Sequence, residues 1–547
     1  MTDLQDDPGQ ALTRLRAVQA AAAAGRHAEA ASLAAAALAD GVEHPLLLNV
    51  LALQCEQAGD LGRAEALLRR AVAMAPNDLG ARNSLGLCLL RLDRPAEALA
   101  HFDALIDGNP RLAFLHASRG TALLALGAIP AAESAHRRAL ELDPAFPIAL
   151  AGLAQIASRR GAYADARVWA ERALVRLPGL PDAVMSLAAA ELGEGDAASA
   201  EARLRALLAD ERVGTRDRAY ALGMLGDVLD AQERRDAAYA AYTACNEALR
   251  RLFAPTFSAG QSALQYARWM SSYCERAKRE DWQAPAESVP VPAGARGHVF
   301  VLGFPRSGTT LLRLVLEGHP DVVGVGENRE TLIEATREFL GEPQGLERLR
   351  RADPEALAAF RARYWRRVAE ADIDIAGKVV VDEDPLNTLK LPVIARLFPR
   401  AKVLFACRDP RDVVLSCFRH RFEMSAPMYE LLSIEGAARY YDAVMGLGVF
   451  FANLLPVDVL LVRHEDVLTG FAREMTRICA FLGIDWVPAM GDFALRIRNR
   501  ETLTPSTAQL LRGLNTEGLG HWRLYETQLA SVMPVLEPWV KRFYYDA

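Results

Sequence analysis

The chain has 547 residues, enough for two or three domains. Its hydrophobic fraction of 51% and charged fraction of 24% are ordinary for globular proteins. A net charge of −6 gives no electrostatic case for binding nucleic acid or an acidic membrane surface. No uninterrupted apolar run approaches the roughly 20 residues that span a bilayer, and the polar, acidic start is unlike a secretory signal. We therefore expect a soluble, cytoplasmic protein without a membrane span.

The seven cysteines are scattered and form no Cys-x-x-Cys pair. Their arrangement argues against both a zinc site and a disulfide framework, and it suits a reducing compartment. We expect no bound metal. Nothing in the sequence indicates an oligomeric state.

The first half of the chain repeats with a period of 34 residues. One series consists of alanines, a second of glycines with a single aspartate, and a third of prolines. The alanines are Ala30, Ala64, Ala98, Ala132, Ala166 and Ala200. The second series is Gly25, Gly59, Asp93, Gly127, Gly161 and Gly195, and the third is Pro76, Pro110, Pro144 and Pro178. After an insertion near 210–218 the pattern resumes four residues late, and Gly226 and Ala238 have the same spacing as Gly86 and Ala98.

Each series has a physical reason. Glycine or aspartate suits a turn with left-handed torsions, alanine suits a close crossing of paired helices, and proline separates one repeat from the next. With Leu85-Gly86, the pattern resembles the tetratricopeptide repeat. The resemblance implies an all-α solenoid over residues 10–250, whose concave face binds a peptide or protein. A generic alanine-rich bundle, or a purely structural role as a scaffold or dimer contact, is the alternative.

A helical connection and a proline-rich linker occupy residues 251–297. Four short apolar runs follow, separated by helical stretches, and each has the composition of a buried strand. The runs are residues 298–302, 379–381, 402–406 and 457–462. Alternating strands and helices predict a three-layer α/β P-loop-like domain with a parallel sheet over residues 298–547.

The loop 303–310 follows the first apolar run and precedes a helix predicted over residues 311–318. A strand, a glycine-bounded loop and a helix form a context in which backbone N–H groups hold an anion. The spacing Gly303-x4-Gly308 is that of a nucleoside-triphosphate loop, but Thr309 stands where such a loop has lysine. A P-loop kinase is therefore disfavoured. Arg306 is the cation that this loop offers instead.

The six residues from Pro305 to Thr310 resemble the 5′-phosphosulfate loop of sulfotransferases. This resemblance implies 3′-phosphoadenosine 5′-phosphosulfate (PAPS) as the sulfuryl donor, without a metal. Arg408 and Ser416, at the end of the third apolar run and eight residues later, are similar to the pair that binds the donor's 3′-phosphate. A surface ion pair of Arg408 with Asp409 or Asp412 is the alternative. The loop residues implied in donor binding are Pro305, Arg306, Ser307, Gly308, Thr309 and Thr310.

Two further segments resemble the tyrosylprotein sulfotransferase branch and bacterial sulfotransferases that carry tetratricopeptide repeats. The first contains Ser506, His521 and Trp522, and the resemblance implies that it closes over the nucleotide. His521 stands where a lysine or arginine is expected, and an ordinary surface loop is the alternative. In the second, His464 takes the place of a tyrosine and is implied to contact the nucleotide.

Sulfuryl transfer requires a base for the acceptor proton and positive charge on the leaving phosphate. The stretch His319–Glu327 resembles a family segment in which the glutamate is the catalytic base. The resemblance implies Glu327 as the base and Arg306 as the residue that stabilises the leaving phosphate. Glu330 is the nearby alternative to Glu327, and a helix-capping carboxylate ahead of 328–339 is the structural alternative.

The chain departs from the family at residues 382–384, which are Asp-Glu-Asp where a sulfate-contacting lysine is frequent. Lys378 and Lys390 are the nearest cations in the sequence. Carboxylates near the sulfate weaken anion binding, so a non-catalytic nucleotide-binding scaffold is the alternative to a sulfotransferase. A Glu383 that faces the phosphate cleft without a neighbouring cation would favour that alternative. The acceptor is not readable from the sequence.

Overall fold

The computed structural model describes residues 8–274, 277–282, 294–326, 329–342, 344–370, 373–494 and 513–545. Two predicted site residues, Glu327 and Ser506, lie outside these ranges. Contacts divide the chain into two compact units, one ending at Gln232 and one beginning at Glu233. The domain limits 10–250, 251–297 and 298–547 stay predictions. Within the described ranges, no helix has the length and apolarity that crossing a membrane requires.

The N-terminal unit is an all-α solenoid in which each helix packs against its neighbours in sequence. This confirms the predicted fold class for the first half of the chain. The helices are α1 (Pro8–Ala23), α2 (His27–Ala39), α3 (Pro45–Gln57), α4 (Leu61–Met74), α5 (Leu79–Arg91), α6 (Pro95–Gly108), α7 (Ala113–Ala125), α8 (Ile129–Leu142), α9 (Pro147–Arg159), α10 (Tyr163–Arg176), α11 (Pro181–Gly193), α12 (Ala197–Ala209) and α13 (Thr215–Ala231).

The second repeat series occupies the turns between paired helices, with left-handed torsions throughout. The five glycines have φ between 71° and 90°, and Asp93 has φ of 62°. For a residue with a Cβ this conformation costs about 1 kcal/mol more than for glycine. The Asp93 carboxylate accepts a hydrogen bond from Arg216 Nη2 at 2.9 Å, while Nη1 donates to the Leu90 carbonyl at 3.0 Å. Arg216 lies in the insertion near 210–218, so the ion pair joins the inserted segment to the one turn whose glycine is replaced.

The alanine series is buried because small side chains are needed where paired helices pack closely, and Ala98 and Ala132 are both fully buried. Next to it, Gly86 of α5 leaves room for the ring of Phe102, since a Cβ would collide with it. One repeat later, His136 takes the position of Phe102 and lies between Gly120 and Gly152. The His136 ring is fully buried, and neither nitrogen has a hydrogen-bond partner among the described residues.

The C-terminal unit is built from fourteen described helices and five strands. The strands are β1 (Gly297–Leu302), β2 (Val322–Val325), β3 (Val379–Glu383), β4 (Lys402–Cys407) and β5 (Asp458–Arg463). The helices are α14 (Arg235–Phe257), α15 (Ala263–Cys274), α16 (Thr309–Leu316), α17 (Ile333–Leu340), α18 (Gly345–Arg351), α19 (Pro354–Ala369), α20 (Leu391–Leu397), α21 (Pro410–Arg419), α22 (Ala426–Glu430), α23 (Ile434–Leu454), α24 (His464–Thr469), α25 (Phe471–Leu482), α26 (Glu526–Leu529) and α27 (Met533–Arg542).

The five strands form one parallel sheet in the order β2-β3-β1-β4-β5. Helices cover both faces: Val301 packs with Leu312 of α16 on one face, whereas Phe300 contacts the rings of Tyr364 and Phe398 on the other. The predicted three-layer α/β arrangement is thereby confirmed. All strands end at one edge of the sheet, and β1 lies between β3 and β4. In such sheets, ligands bind at the carboxyl ends of the strands.

Three local expectations differ from the structure. The four predicted strands are present, but β2 was not expected, because four residues that include Gly324 at a sheet edge carry little strand signal. Helix α16 begins at Thr309, not 311, because Gly308 is its N-cap. The helix expected over residues 328–339 begins at Ile333. Both loop threonines therefore belong to the first turn of α16.

We expect His136 to make the repeat unit sensitive to acid. Burial lowers the pKa of His136 to about 4, whereas an unfolded histidine titrates near 6.5. The unfolded chain therefore binds more protons between these values, and stability falls as the pH drops from about 6.5 towards 4. His136→Phe should reduce the loss of the free energy of unfolding between pH 7 and 5, measured by urea unfolding of the full chain. The exposed His27, changed to Asn, is the control, and an unchanged pH dependence in His136→Phe would contradict this assignment.

Candidate functional site

The predicted phosphate loop connects β1 to α16 at the carboxyl edge of the sheet. Two of its residues have left-handed torsions, with φ of 69° at Arg306 and 93° at Gly308. A Cβ at Gly308 would collide with the His464 imidazole, and one at Gly303 would overlap the carbonyl oxygen of Ala406. Helix α16 follows directly, so its first-turn N–H groups, which have no partner within the helix, lie at the loop.

The loop side chains point in different directions. Ser307 and Thr309 are buried, and the Ser307 hydroxyl has no hydrogen-bond partner in the described ranges. The Thr310 hydroxyl lies 3.4 Å from Glu383 Oε1, to which it donates. The carbonyl of Pro305 accepts from the Cys417 thiol of α21 at 3.4 Å. The loop and the start of α16 are therefore anchored on the end of β3 and on α21.

Three predicted donor-binding residues meet in one cluster. Arg306 Nε donates to the Ser416 hydroxyl of α21 at 3.1 Å. Arg408 Nη1, at the end of β4, donates to the Arg306 carbonyl at 3.4 Å. The loop, the end of β4 and the first turns of α21 are thus in direct contact, and two guanidinium groups share this part of the sheet edge.

Two histidines near this cluster have lowered pKa values, and nearby positive charge contributes to both shifts. Burial, with the charges of Arg408 and Arg306 adding to it, lowers the pKa of His464 to about 3. Burial, Arg306 and Arg421 hold the pKa of His420 well below its usual value. Both imidazoles are therefore neutral at physiological pH. A site with this electrostatic character suits an anionic ligand.

Arg408 forms no close ion pair with either neighbouring aspartate. Asp409 pairs instead with Arg411, at 2.7 Å, and the nearest Asp412 oxygen is 3.9 Å from Arg408 Nη2. The same Nη2 donates to the Gly518 carbonyl at 2.5 Å. The alternative of a surface ion pair therefore fails for Asp409, and the Asp412 contact is at the limit of an ion pair.

Asp412 fastens the C-terminal segment 513–525 to α21. Its buried carboxylate accepts from the backbone N–H groups of Gly520, at 2.7 Å, and Trp522, at 2.8 Å. The Trp522 ring lies 3.8 Å from the Arg411 guanidinium carbon, and His521 contacts Arg419. Trp522 is thus buried as a structural anchor, while Gly518 is the part of the segment that reaches Arg408.

The acidic run at residues 382–384 is locally compensated. Asp382 is buried, accepts from Tyr364 and Thr331 at 2.8 and 2.7 Å, and has its pKa raised to about 6 by burial. Glu383 accepts from Arg313 Nε at 3.2 Å. The partners of Asp384 are the Leu386 N–H, at 2.9 Å, and Lys390 Nζ, at 2.8 Å. Glu383 therefore has a neighbouring cation, and the condition that would have favoured a non-catalytic scaffold is not met.

Several predicted residues do not join the cluster. Lys378 donates to the Pro320 carbonyl at the amino edge of the sheet, and Lys390 is paired with Asp384. Glu330 is exposed, with φ of 43°. Glu327 and Ser506 lie outside the described residues, although Glu327 directly follows Gly326 at the carboxyl end of β2.

Sequence reasoning missed Arg313, Asp412 and Gly518. Arg313 could have been found because it lies one helical turn after the loop, where its side chain can reach β3. Asp412 was named solely as an alternative partner of Arg408. Gly518 acts through its backbone carbonyl, for which the sequence carries no signal.

Two family models match parts of the chain. Residues 298–488 match the model of the sulfotransferase family, and residues 15–78, 56–113 and 118–181 match that of the tetratricopeptide repeat. The chain therefore combines tetratricopeptide repeats with a domain of the sulfotransferase family.

Relatives have low sequence identity. An uncharacterized protein of Aquifex aeolicus is 25% identical over 268 residues, covering 45% of this chain but 34% of that protein. A putative protein-tyrosine sulfotransferase of Caenorhabditis briggsae is 26% identical over 232 residues, covering 41% and 80%. Protein-tyrosine sulfotransferase 1 of Danio rerio is 25% identical over 268 residues, covering 45% and 72%. A solved tetratricopeptide-repeat protein from Thermus thermophilus is 21% identical, and the match covers 33% of this chain and 98% of that one, with a TM-score of 0.30.

We expect Asp412→Asn to loosen segment 513–525. The amide offers one acceptor oxygen where the carboxylate has two, so one buried backbone N–H loses its partner, at a cost of about 1–3 kcal/mol. Hydrogen exchange in the intact chain should become faster in peptides that contain Gly520 and Trp522. Glu526→Gln, at an exposed position after the segment, is the matched control. Unchanged protection in Asp412→Asn would show that the carboxylate does not hold the segment.

Proposed function

We propose that the C-terminal unit transfers the sulfuryl group of PAPS to an acceptor hydroxyl. The observation that carries the proposal is the contact of Arg306, Ser416 and Arg408 at the carboxyl edge of the sheet. These residues come from the two motifs that resemble the 5′-phosphosulfate and 3′-phosphate sites of sulfotransferases. Their contact supports a single nucleotide site that receives both ends of the donor.

In the proposed reaction, the bond between the sulfuryl sulfur and the 5′-phosphate oxygen breaks. A bond between sulfur and the acceptor oxygen forms, and the acceptor proton passes to a base. The products are 3′,5′-adenosine diphosphate and a sulfate ester. Arg306 and the first-turn N–H groups of Thr309 and Thr310 would stabilise the charge that develops on the leaving phosphate. Donors that are already oriented in a partly buried site stabilise such charge more than water does.

We assign the base to Glu327. Its place in the sequence, two residues after β2, supports the assignment, because β2 ends at the same edge as the phosphate loop and two strands away from it. The assignment otherwise rests on the resemblance of the His319–Glu327 stretch. Glu330 is a weaker candidate since it is exposed and lies further from β2.

Catalysis is favoured over a non-catalytic scaffold by the surroundings of Glu383. A carboxylate beside an anion site would oppose binding if it had no cation nearby. Arg313 lies 3.2 Å from this carboxylate, so the observation that would have favoured the scaffold is absent from the described site. The Glu383 carboxylate is therefore compensated and does not oppose an anionic donor at the edge that carries Arg306 and Arg408.

We assign the acceptor to a peptide or protein that docks on the concave face of the repeats. Two relatives that this chain resembles are named as protein-tyrosine sulfotransferases, which supports a hydroxyl of a polypeptide. The match to the tetratricopeptide repeat supports docking on the first unit. Transfer of radiolabelled sulfate from PAPS to proteins of a cell lysate, separated by size, would identify the acceptor. Label on small molecules alone would contradict a protein acceptor.

We expect the full chain to bind 3′,5′-adenosine diphosphate in calorimetric titration, and both Arg306→Ala and Arg408→Ala to weaken the binding. Each substitution removes a charged donor to phosphate, for which about 1.5–3 kcal/mol, or roughly 10- to 100-fold in Kd, is expected.

Arg296→Ala is the matched control. Arg296 precedes β1 at the amino edge of the sheet, where it pairs with Asp321 at 3.3 Å. This variant should bind as the parent does. Absence of binding by the parent would remove the donor assignment, and equal losses in all three variants would show a general electrostatic effect.

A further inference from the structure

A buried triad of charges lies directly behind the phosphate loop. Arg313, in the second turn of α16, donates from Nε to Glu383 at 3.2 Å and from Nη1 to Glu317 at 2.7 Å. Their side chains are 8%, 1% and 6% exposed, so all three are nearly excluded from water. Glu383 ends β3 and pairs in register with Val301 of β1, two residues before Gly303.

Two residues of α16 contact the same carboxylate. Thr310 reaches Oε1 of Glu383 at 3.4 Å, and Arg313 reaches Oε2 at 3.2 Å. Because positions three apart lie on one face of a helix, these contacts clamp the first turn of α16 onto the end of β3. That turn carries the free N–H groups that face the loop.

The triad also extends to the end of β2. A Cβ at Gly324 would overlap the Glu317 carboxylate, and one at Gly326 would lie 3.7 Å from Arg313 Nη2. Gly324 thus allows close approach of the strand to the triad, whereas a Cβ at Gly326 would make an ordinary contact. The triad and Thr310 hold the first turns of α16 to the end of β3, and β2 packs beside them.

Stability alone is a poor reason for such an arrangement. Removing charges from water is costly, and replacing a buried ion triad with apolar residues of similar volume is often neutral or stabilising. The triad here carries one positive and two negative charges behind a loop that would bind an anion. The position of the triad is better explained by a role in holding the geometry of the phosphate loop than by a contribution to the stability of the fold.

We propose that Arg313 and Glu383 are positioning residues of the phosphate loop. Arg313 holds the Glu383 carboxylate, and Glu383 holds Thr310, so that the first-turn N–H groups of α16 keep a fixed direction towards the bound phosphate. The proposal rests on the proposed function for its ligand. It differs from the direct role expected for Thr310, because the Thr310 hydroxyl here is directed to β3.

The test is a triple variant, Arg313→Met, Glu317→Met and Glu383→Met, which removes the triad with little change in volume. We expect a thermal unfolding midpoint equal to or above that of the parent, because no charge stays buried without a partner. Affinity for 3′,5′-adenosine diphosphate should fall about 3- to 10-fold, which corresponds to the net free energy of about one hydrogen bond. The conservative variant Glu383→Gln keeps one acceptor oxygen where the carboxylate has two, so its affinity should lie between that of the parent and that of the triple variant.

The matched control removes another ion pair of the same unit, in which Glu474 is buried and Arg477 is exposed. Glu474 and Arg477 of α25 form a bidentate pair away from the loop, and the double change of both to Met should leave nucleotide affinity unchanged. Thr310→Val should weaken binding in the parent but not further in the triple variant. A loss of the same size in both backgrounds would show that Thr310 contacts the ligand directly and would overturn the positioning role.

Hydrogen exchange of the unliganded chain separates this inference from the proposed function. Peptides covering residues 303–312 should exchange faster in the triple variant than in the parent and in the α25 control. If the parent binds no nucleotide, the proposed function fails, while faster exchange still supports the positioning role. Equal exchange with equal affinity would refute it.

Discussion

The close approach of the phosphate loop to the ends of β4 and β5 is the constraint on which the candidate site depends. Gly303 lies against the Ala406 carbonyl of β4, and Gly308 lies against the His464 imidazole, so neither position can carry a Cβ. This packing brings the Arg306 side chain within 3.1 Å of Ser416. It also places Arg408 against the Arg306 carbonyl. Two distant motifs become one anion-binding edge because the central strand of a parallel sheet is flanked on both sides.

Charge near this edge is arranged in two layers. Arg306 and Arg408 place positive charge at the loop, and this charge adds to the effect of burial in lowering the pKa of His464. Behind the loop, the three acidic residues of β3 and its end have internal partners: hydroxyl groups for Asp382, Arg313 for Glu383 and Lys390 for Asp384. An acidic strand end beside an anion site is thus compatible with binding, because its carboxylates are engaged in holding helices and turns.

The sequence predicted well the features that repeat along the chain or depend on residues close in sequence. The 34-residue step located the left-handed turns, and alternating apolar runs located four of the five strands, since both signals depend on near neighbours in the chain. The partners of Glu383 and Arg408 could not be predicted in the same way. Arg313 reaches Glu383 across 70 residues, and Gly518 reaches Arg408 through a backbone carbonyl 110 residues away. Such contacts follow from the packing of the sheet and not from any local pattern.

The central claim is that Arg408 and the phosphate loop receive the two phosphates of one nucleotide. The most direct test is the ratio of the dissociation constants for adenosine 5′-monophosphate and 3′,5′-adenosine diphosphate, measured by calorimetry on the full chain and on Arg408→Ala. The account predicts that the parent prefers the diphosphate by roughly 10-fold or more and that Arg408→Ala loses most of this preference. An Arg408→Ala variant that binds both nucleotides more weakly but keeps the ratio of the parent would contradict it.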